Sequence, residues 1–255
     1  MSPYAIARSH RKGDYGFDAP YVLLVLGAVG VMAVIVGVAI AFAGSTAWAK
    51  VSLAVGLYLL MMAGSFAFTT RRGKFDVWAK LLLELDLRGD EHVLDMGSGR
   101  GAILMMVAQL VPRGRAVGLD LWVSSDQSGN SLAAAKRNAD LEGVADRVEL
   151  RTADMTSMPF DDASFDIVLS ALAIHNIKDA RGRQKAIDEA VRVLKPGGRL
   201  RIADFRSTHE YVGRLRQLGI ADSSERSLGW RYWYGGPWAA TKLVTASKPR
   251  LAQHE

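Results

Sequence analysis

The sequence predicts an α/β protein, a doubly wound sheet with a C-terminal antiparallel strand pair, preceded by two transmembrane helices. Three observations carry that prediction. Two long apolar runs, Tyr21 to Phe42 and Trp48 to Phe68, come first. From Phe75 onward short β-rich segments alternate with helical ones, the pattern of a parallel sheet. The first of these strands, His92–Met96, runs straight into a glycine-rich turn, Gly97-Ser-Gly-Arg-Gly101.

Each apolar run reaches the roughly 20 residues needed to cross a hydrocarbon core of about 30 Å. Only Lys50 interrupts them, near an end where its ammonium can snorkel to the interface. A secretory leader also begins with basic residues such as Arg8, Arg11 and Lys12, and Ala41-Phe-Ala43 resembles a cleavage site. Its apolar region, however, is usually 7–15 residues long and is not followed at once by a second run. Ala43-Gly-Ser-Thr-Ala47 leaves room only for a tight turn, so the runs form a helical hairpin. Small residues at four-residue spacing, Ala33/Gly37/Ala41, Ser52/Gly56 and Ala63/Ala67, would let the helices approach closely.

The net charge of +6 belongs to the hairpin's flanks. Residues 1 to 74 hold seven Lys/Arg against two Asp/Glu, and the remaining residues hold 25 against 24. That distribution argues against a nucleic-acid partner, which a basic face on the α/β domain would suit. It suits a membrane. Arg8, Arg11 and Lys12 before the hairpin and Arg71, Arg72 and Lys74 after it place both termini and the α/β domain in the cytoplasm, beside anionic headgroups. With no cysteine, disulfides and thiolate metal sites are excluded, and no metal site is expected.

The chain divides into a basic cytoplasmic tail (1–20), the hairpin (21–68), a juxtamembrane linker with a first helix (69–90), the α/β domain (91–248) and a short tail (249–255). Phe75, Trp78, Leu81, Leu82 and Leu85 recur at helical spacing before Arg88-Gly-Asp90 ends that helix. Strands follow at His92–Met96, Ala116–Leu119, Val148–Thr152, Phe165–Ser170 and Leu200–Ala203. Helices lie near Ala102–Val111, Ser131–Leu141, Arg183–Leu194 and Glu210–Leu218. Lys195-Pro-Gly-Gly198 makes the turn into the fifth strand. Trp230-Arg-Tyr-Trp-Tyr234 and Thr241–Ala246 flank Gly235-Gly-Pro237 and read as the antiparallel pair, with Trp230, Tyr232 and Tyr234 on one face and Trp233 on the other; these rings and Trp238 would wall an apolar acceptor pocket, rest at the bilayer interface or pack the terminal hairpin.

In such a sheet a ligand binds beyond the carboxyl ends of the strands. Gly97, Gly99 and Gly101 let the backbone turn where a Cβ would collide, and amides at the helix start favour negative charge. Gly97, Gly99 and Ala102 also satisfy a dinucleotide fingerprint. Asp95, inside the strand, opposes a phosphate and favours an ammonium group. Asp120 ends the second strand nineteen residues after Gly101, placed for ribose hydroxyls, and Asp154 follows the third, suited to an amino group. Three carboxylates at consecutive strand ends describe a ligand with an amine, a ribose and a base.

Phe75 to Lys248 thus resembles the class I S-adenosylmethionine-dependent methyltransferases of the type-11-like group. The resemblance rests on Asp95-x-Gly97-x-Gly99-x-Gly101, Gly118-Leu-Asp120, Ala153-Asp-Met155, Phe165–Ser170 and Arg192-Val-Leu-Lys-Pro-Gly-Gly198. It implies S-adenosylmethionine as cofactor. Asp95, Gly97, Ser98, Gly99 and Gly101 would hold the methionine end, Asp120 the ribose, Leu121 and Trp122 the adenine face, and Asp154 with Met155 its edge. Ser170 would mark the opening toward the acceptor, and His175 stands where the family often places acceptor-site residues, an imidazole suited to act as a general base. Asp126-Gln-Ser-Gly-Asn130 reads as a lid or as a helix cap.

The expected function is a membrane-anchored methyltransferase acting on a hydrophobic small molecule or lipid acceptor, and the alternative is a tethered, non-catalytic cofactor sensor. A nicotinamide-dependent oxidoreductase rests on the glycines alone. The acceptor atom and the oligomeric state have no signature in the sequence.

Overall fold

The structure is a computed structural model that describes residues 11–250; Arg8 and residues 251–255 of the expected tails lie outside them. Helices α1 (Pro20–Phe42) and α2 (Thr46–Phe68) form an antiparallel hairpin. The helices Pro20–Phe42 and Thr46–Leu83 are long and apolar enough to cross a membrane, and their most apolar stretches are only 11% and 17% buried. A core helix of a soluble domain would be mostly covered. Of the expected small residues, Gly37, Gly56 and Ala63 are buried in the contact between the helices and the Ser52 hydroxyl donates to the Ala33 carbonyl across it at 2.7 Å, while the buried positions themselves recur every seven residues. Gly30 and Gly37 on α1 and Ala49, Gly56 and Ala63 on α2 are the buried small residues, whereas Ala41 is exposed. A Cβ at Gly37 would meet Leu53 at 2.8 Å and one at Gly56 would meet Val34 at 2.7 Å. Heptad spacing is that of left-handed packing, which keeps one seam in register over the whole contact.

No linker separates the hairpin from the domain. α2 passes through a π-helical turn, Thr69–Gly73, into α3 (Lys74–Leu83), making one 38-residue helix. The sheet then follows as β1 (His92–Met96), β2 (Arg115–Asp120), β3 (Val148–Thr152), β4 (Phe165–Ala171), β5 (Leu194–Asp204), β6 (Ser224–Ser227) and β7 (Lys242–Ser247). Their order is β3-β2-β1-β4-β5-β7-β6, with β7 antiparallel to both its neighbours. Helices α4 (Ala102–Leu110), α5 (Leu132–Glu142), α6 (Ala180–Val193) and α7 (Thr208–Gln217) cover the two faces. Alternation along β1 divides the core accordingly: Val93 packs with α3 and α4, and Leu94 and Met96 pack with α6 and α7.

Two expectations need correction. The partner of β7 is Ser224–Ser227, not the aromatic run. Trp230–Tyr232 is a 3-10 turn, and only a single bridge, Trp233 to Ala240, remains of the expected ladder. The reason is a competing partner distant in sequence: the Trp233 carbonyl accepts hydrogen bonds from the Thr69 and Ser65 hydroxyls of the hairpin helix, at 2.7 and 3.3 Å. Consequently Trp230 and Tyr232 do not share a face, the first being exposed and the second fully buried. The fifth strand also starts earlier, at Leu194, with the turn residues absorbed as an irregularity in its pairing to β4.

Residues 11–19, expected within a tail, are a strap laid over the α/β domain. Asp14 pairs with Arg100, Asn138 brackets the Asp14 backbone, and Phe17 and Ala19 exchange backbone bonds with Ser128 and Asp126. The strap then turns directly into α1.

Candidate active site

Between β1 and α4 the chain must reverse within five residues, and glycines make this possible. Gly97 has φ 73° and Gly99 has φ 52°; a Cβ on Gly97 would sit 2.1 Å from that of Ala173. The loop amides are not free for an anion. Gly97 and Ser98 donate to the Leu119 carbonyl, Gly99 to Asp120 Oδ2, Arg100 to Gln127 Oε1 and Gly101 to the Ser98 carbonyl. The expected anion-favouring amides are therefore already satisfied inside the protein, which removes the phosphate cradle a dinucleotide needs.

A cavity of about 970 Å³ opens at the carboxyl ends of the strands. That is the upper end of the range for ligand sites, about 300–1,000 Å³. Asp95, Gly97, Ser98 and Gly99 line it from β1, Asp120 and Leu121 from β2, and Asp154 and Met155 from β3. Asp95 is 1% exposed, and its Oδ1 has no hydrogen-bond partner; neither has the buried hydroxyl of Ser98. Burial, reinforced by the Asp120 carboxylate, pushes Asp95 up to about 7. A cationic donor in the cavity would satisfy that orphaned oxygen and restore its charge.

Asp120 accepts from Gly99 N–H at 2.8 Å, Trp122 N–H at 2.5 Å and Asn130 Nδ2 at 3.3 Å, so it organises the loop it faces. Asp154 accepts the Thr156 amide on Oδ1 at 2.8 Å. Leu121 is 57% exposed and offers an apolar ledge.

Four expected residues do not line the cavity. Gly101 is the αL residue that starts α4. Trp122 folds along β3, its Nε1 donating to Thr152 Oγ1. Ser170 is fully buried and ties β4 to β1 through the Met96 carbonyl. His175 has its Nδ1 2.8 Å from Asp204 Oδ1 and its ring edge-on to Phe205. Asp126 and Gln127 from the expected lid do line the cavity, while helix α5 is capped by Ser131.

Asp18 and Lys74 were not anticipated in the cavity, nor were Asn176, Lys178, Arg181 and Lys185; Tyr232 lines it too, one of the placements expected for the aromatic run. Lys74, expected beside lipid headgroups, is 4% exposed and held by both oxygens of Asp18 at 2.9 and 2.8 Å. Asp18 also accepts from Tyr234 Oη and Gln127 Nε2. Tyr232 accepts from Trp78 Nε1, and burial pushes its phenol up. A carboxylate three residues before an apolar run, amid basic flanks, was the available signal.

Residues 94–202 match the family model described as a methyltransferase domain. The chain is 33% identical over 129 residues to the demethylmenaquinone methyltransferase of Thermus thermophilus, covering 50% of this chain and 54% of that one. It is 31% identical over 128 residues to the sterol 4-C-methyltransferase of Caenorhabditis elegans, covering 50% and 35%. This chain thus spans about half or less of these relatives' length. In fold it is similar to a SAM-dependent methyltransferase from Aquifex aeolicus, with TM-score 0.52 and 22% identity over 67% of this chain and 88% of the other. With that match, the sheet order and the unpartnered Asp95 at one site, the chain carries a class I S-adenosylmethionine-dependent methyltransferase domain.

Proposed function

We propose that this protein is a membrane-anchored methyltransferase that transfers the methyl group of S-adenosylmethionine to a hydrophobic, membrane-dissolved acceptor such as a prenylated quinone-type ring. The observation that carries it is the composite cavity: strand ends built for the cofactor share one wall with Asp18 and Lys74, which flank the two apolar helices. The relatives' named substrates, a quinone and a sterol, support an apolar acceptor.

The cofactor would supply an activated methyl on sulfur with a good leaving group. Asp95 would hold its ammonium, Asp120 its ribose, Leu121 and Met155 the adenine faces, and Asp154 the adenine amine. Lys74 and Tyr232 offer a cation and a hydroxyl to its carboxylate. Such a displacement depends chiefly on alignment and exclusion of water, which the buried cavity floor provides. His175, beside Asp204 and outside the lining, would shape the acceptor side as a positioning residue. By the basic residues flanking the spans, both termini and the domain would lie on the cytoplasmic side.

The test is transfer from methyl-labelled S-adenosylmethionine by the full-length protein into a total lipid extract, followed by chromatography. Label in an apolar product, absent with Asp120→Ala, is the expected result. Labelling of soluble compounds alone would overturn the acceptor assignment, and no labelling with cofactor binding intact would favour the tethered sensor.

A further inference from the structure

The segment joining β6 to β7 does not stay with the sheet but climbs the hairpin. Trp230 stacks on Phe68 with ring centres 5.6 Å apart, and Tyr234 meets Phe66 edge-on at 5.0 Å. A Cβ at Gly235 would lie 3.5 Å from Met62, and the Trp238 ring reaches Tyr58 at 6.0 Å. The contacts move from residue 69 to residue 58 of one helix, a climb of about 16 Å at 1.5 Å per residue.

The hairpin provides the scale for that height. Gly30 meets Leu60, Val34 meets Gly56 and Gly37 meets Leu53, so residues 28–32 of α1 stand level with residues 58–62 of α2. There α1 presents Val29 at 51% and Met32 at 59% exposure, and Leu24 at 71% stands closer to the domain than the tip does. The tip of the segment therefore lies within the layer where the hairpin is bare and apolar. Trp233 to Ala240 contains no charged residue, and Trp238 is 59% exposed. Irregular backbone in hydrocarbon must satisfy its own polar groups. This segment does much of that: Trp233 N–H bonds to Trp230 O, Tyr234 N–H to Ala239 O, Ala239 N–H to Gly236 O and Thr241 N–H to Tyr232 O. The Trp233 carbonyl is taken by two helix hydroxyls.

We infer that residues 229–240 form a loop inserted into the bilayer leaflet next to the catalytic domain, with Trp238 among the acyl chains and Tyr232, at its root, in the cavity wall. The loop thereby joins the lipid phase to the site. Its partner is the lipid bilayer itself, and the inference rests on the membrane-anchored reading above.

The chain has no cysteine, so a single introduced one carries a unique label. Trp238→Cys and, as a second probe of the tip, Pro237→Cys are labelled with an environment-sensitive fluorophore in phosphatidylcholine–phosphatidylglycerol vesicles containing nitroxide-bearing acyl chains. Val29→Cys marks the span and Gln184→Cys the exposed face of α6. Quenching at 237 and 238 within about twofold of that at 29, with none at 184, is the expected result. Quenching at 237 and 238 no greater than at 184, with 29 quenched, overturns the inserted loop and leaves the anchor standing. No quenching at 29 overturns the anchor and the loop together. Methyl transfer is not read, so a failure of the proposed activity leaves the result interpretable.

Discussion

Asp95 is where the chemistry of this site is most concentrated. A carboxylate in an unfolded chain loses its proton near 3.8, whereas burial and Asp120 raise Asp95 to about 7 in the ligand-free domain. Because the folded value is the higher one, neutral Asp95 favours the fold below pH 4, and that contribution is lost as the pH climbs to 7. Asn imitates the neutral acid. Asp95→Asn should therefore raise the thermal midpoint of the ligand-free protein at pH 8 and leave it close to wild type near pH 4. Cofactor binding should respond in the opposite sense, since an ammonium group needs the ionised form. Affinity should rise up to tenfold per pH unit below 7 and level off above it, and the Asn variant should be weak and flat across that range. Calorimetric titrations at pH 5.5 to 8.5 read both slopes, and a wild-type profile as flat as the variant's would remove Asp95 from ammonium recognition. The motif made this residue legible because strand, glycine turn and helix are consecutive in the chain. Lys74 was not legible as a cavity residue, and Tyr232 was legible there only as one of several placements of the aromatic run, since what brings both to the cavity is the docking of distant segments.

The junction between hairpin and domain shows how elements decide matters that residue patterns leave open. Periodicity located the strands and helices to within a few residues, and Asp179 explains the earlier start of α6 by accepting the Gly182 amide. The aromatic run was misread because its alternation suits a strand, while its best partners are hydroxyls on a helix more than 160 residues away. Gly73 records the same contact. Its φ is an ordinary helical −56°, so Ala would be preferred there by about 1 kcal/mol on helix propensity alone. A Cβ would, however, lie 1.8 Å from the Arg231 carbonyl oxygen, a backbone atom that cannot swing aside. The clash wins. Gly73→Ala should destabilise the protein by about 1–3 kcal/mol, seen as a lower midpoint in thermal unfolding, and a midpoint raised by the substitution would show that the loop and helix are not in contact. Gly64, with open space around its Cβ, is the matched control where Ala should be neutral or mildly stabilising.

At the scale of the whole molecule, hairpin and α/β domain are one mechanical unit, joined at both ends of the hairpin. On one side α2 continues as a helix into α3; on the other the strap enters α1 after crossing the cofactor loop. Gln127 transmits this coupling. Its side-chain carbonyl receives the Arg100 amide of the glycine loop, and its amide nitrogen donates to the Tyr15 carbonyl and to Asp18 Oδ1. Removing residues 1–19 leaves those donors without acceptors and strips Lys74 of its carboxylate partner, in a pocket where each unpaired buried group costs about 1–3 kcal/mol. Only the part felt by the glycine loop reaches the ligand. Cofactor affinity should fall by at least tenfold, about 1.4 kcal/mol, with helix content preserved. A fragment beginning at residue 70 should bind as weakly as the chain lacking only residues 1–19, because both lose the strap and the second keeps the spans. Equal affinity of all three proteins by calorimetry would mean that the strap merely rests on the domain. Weak binding by the fragment alone would move the coupling from the strap to the spans.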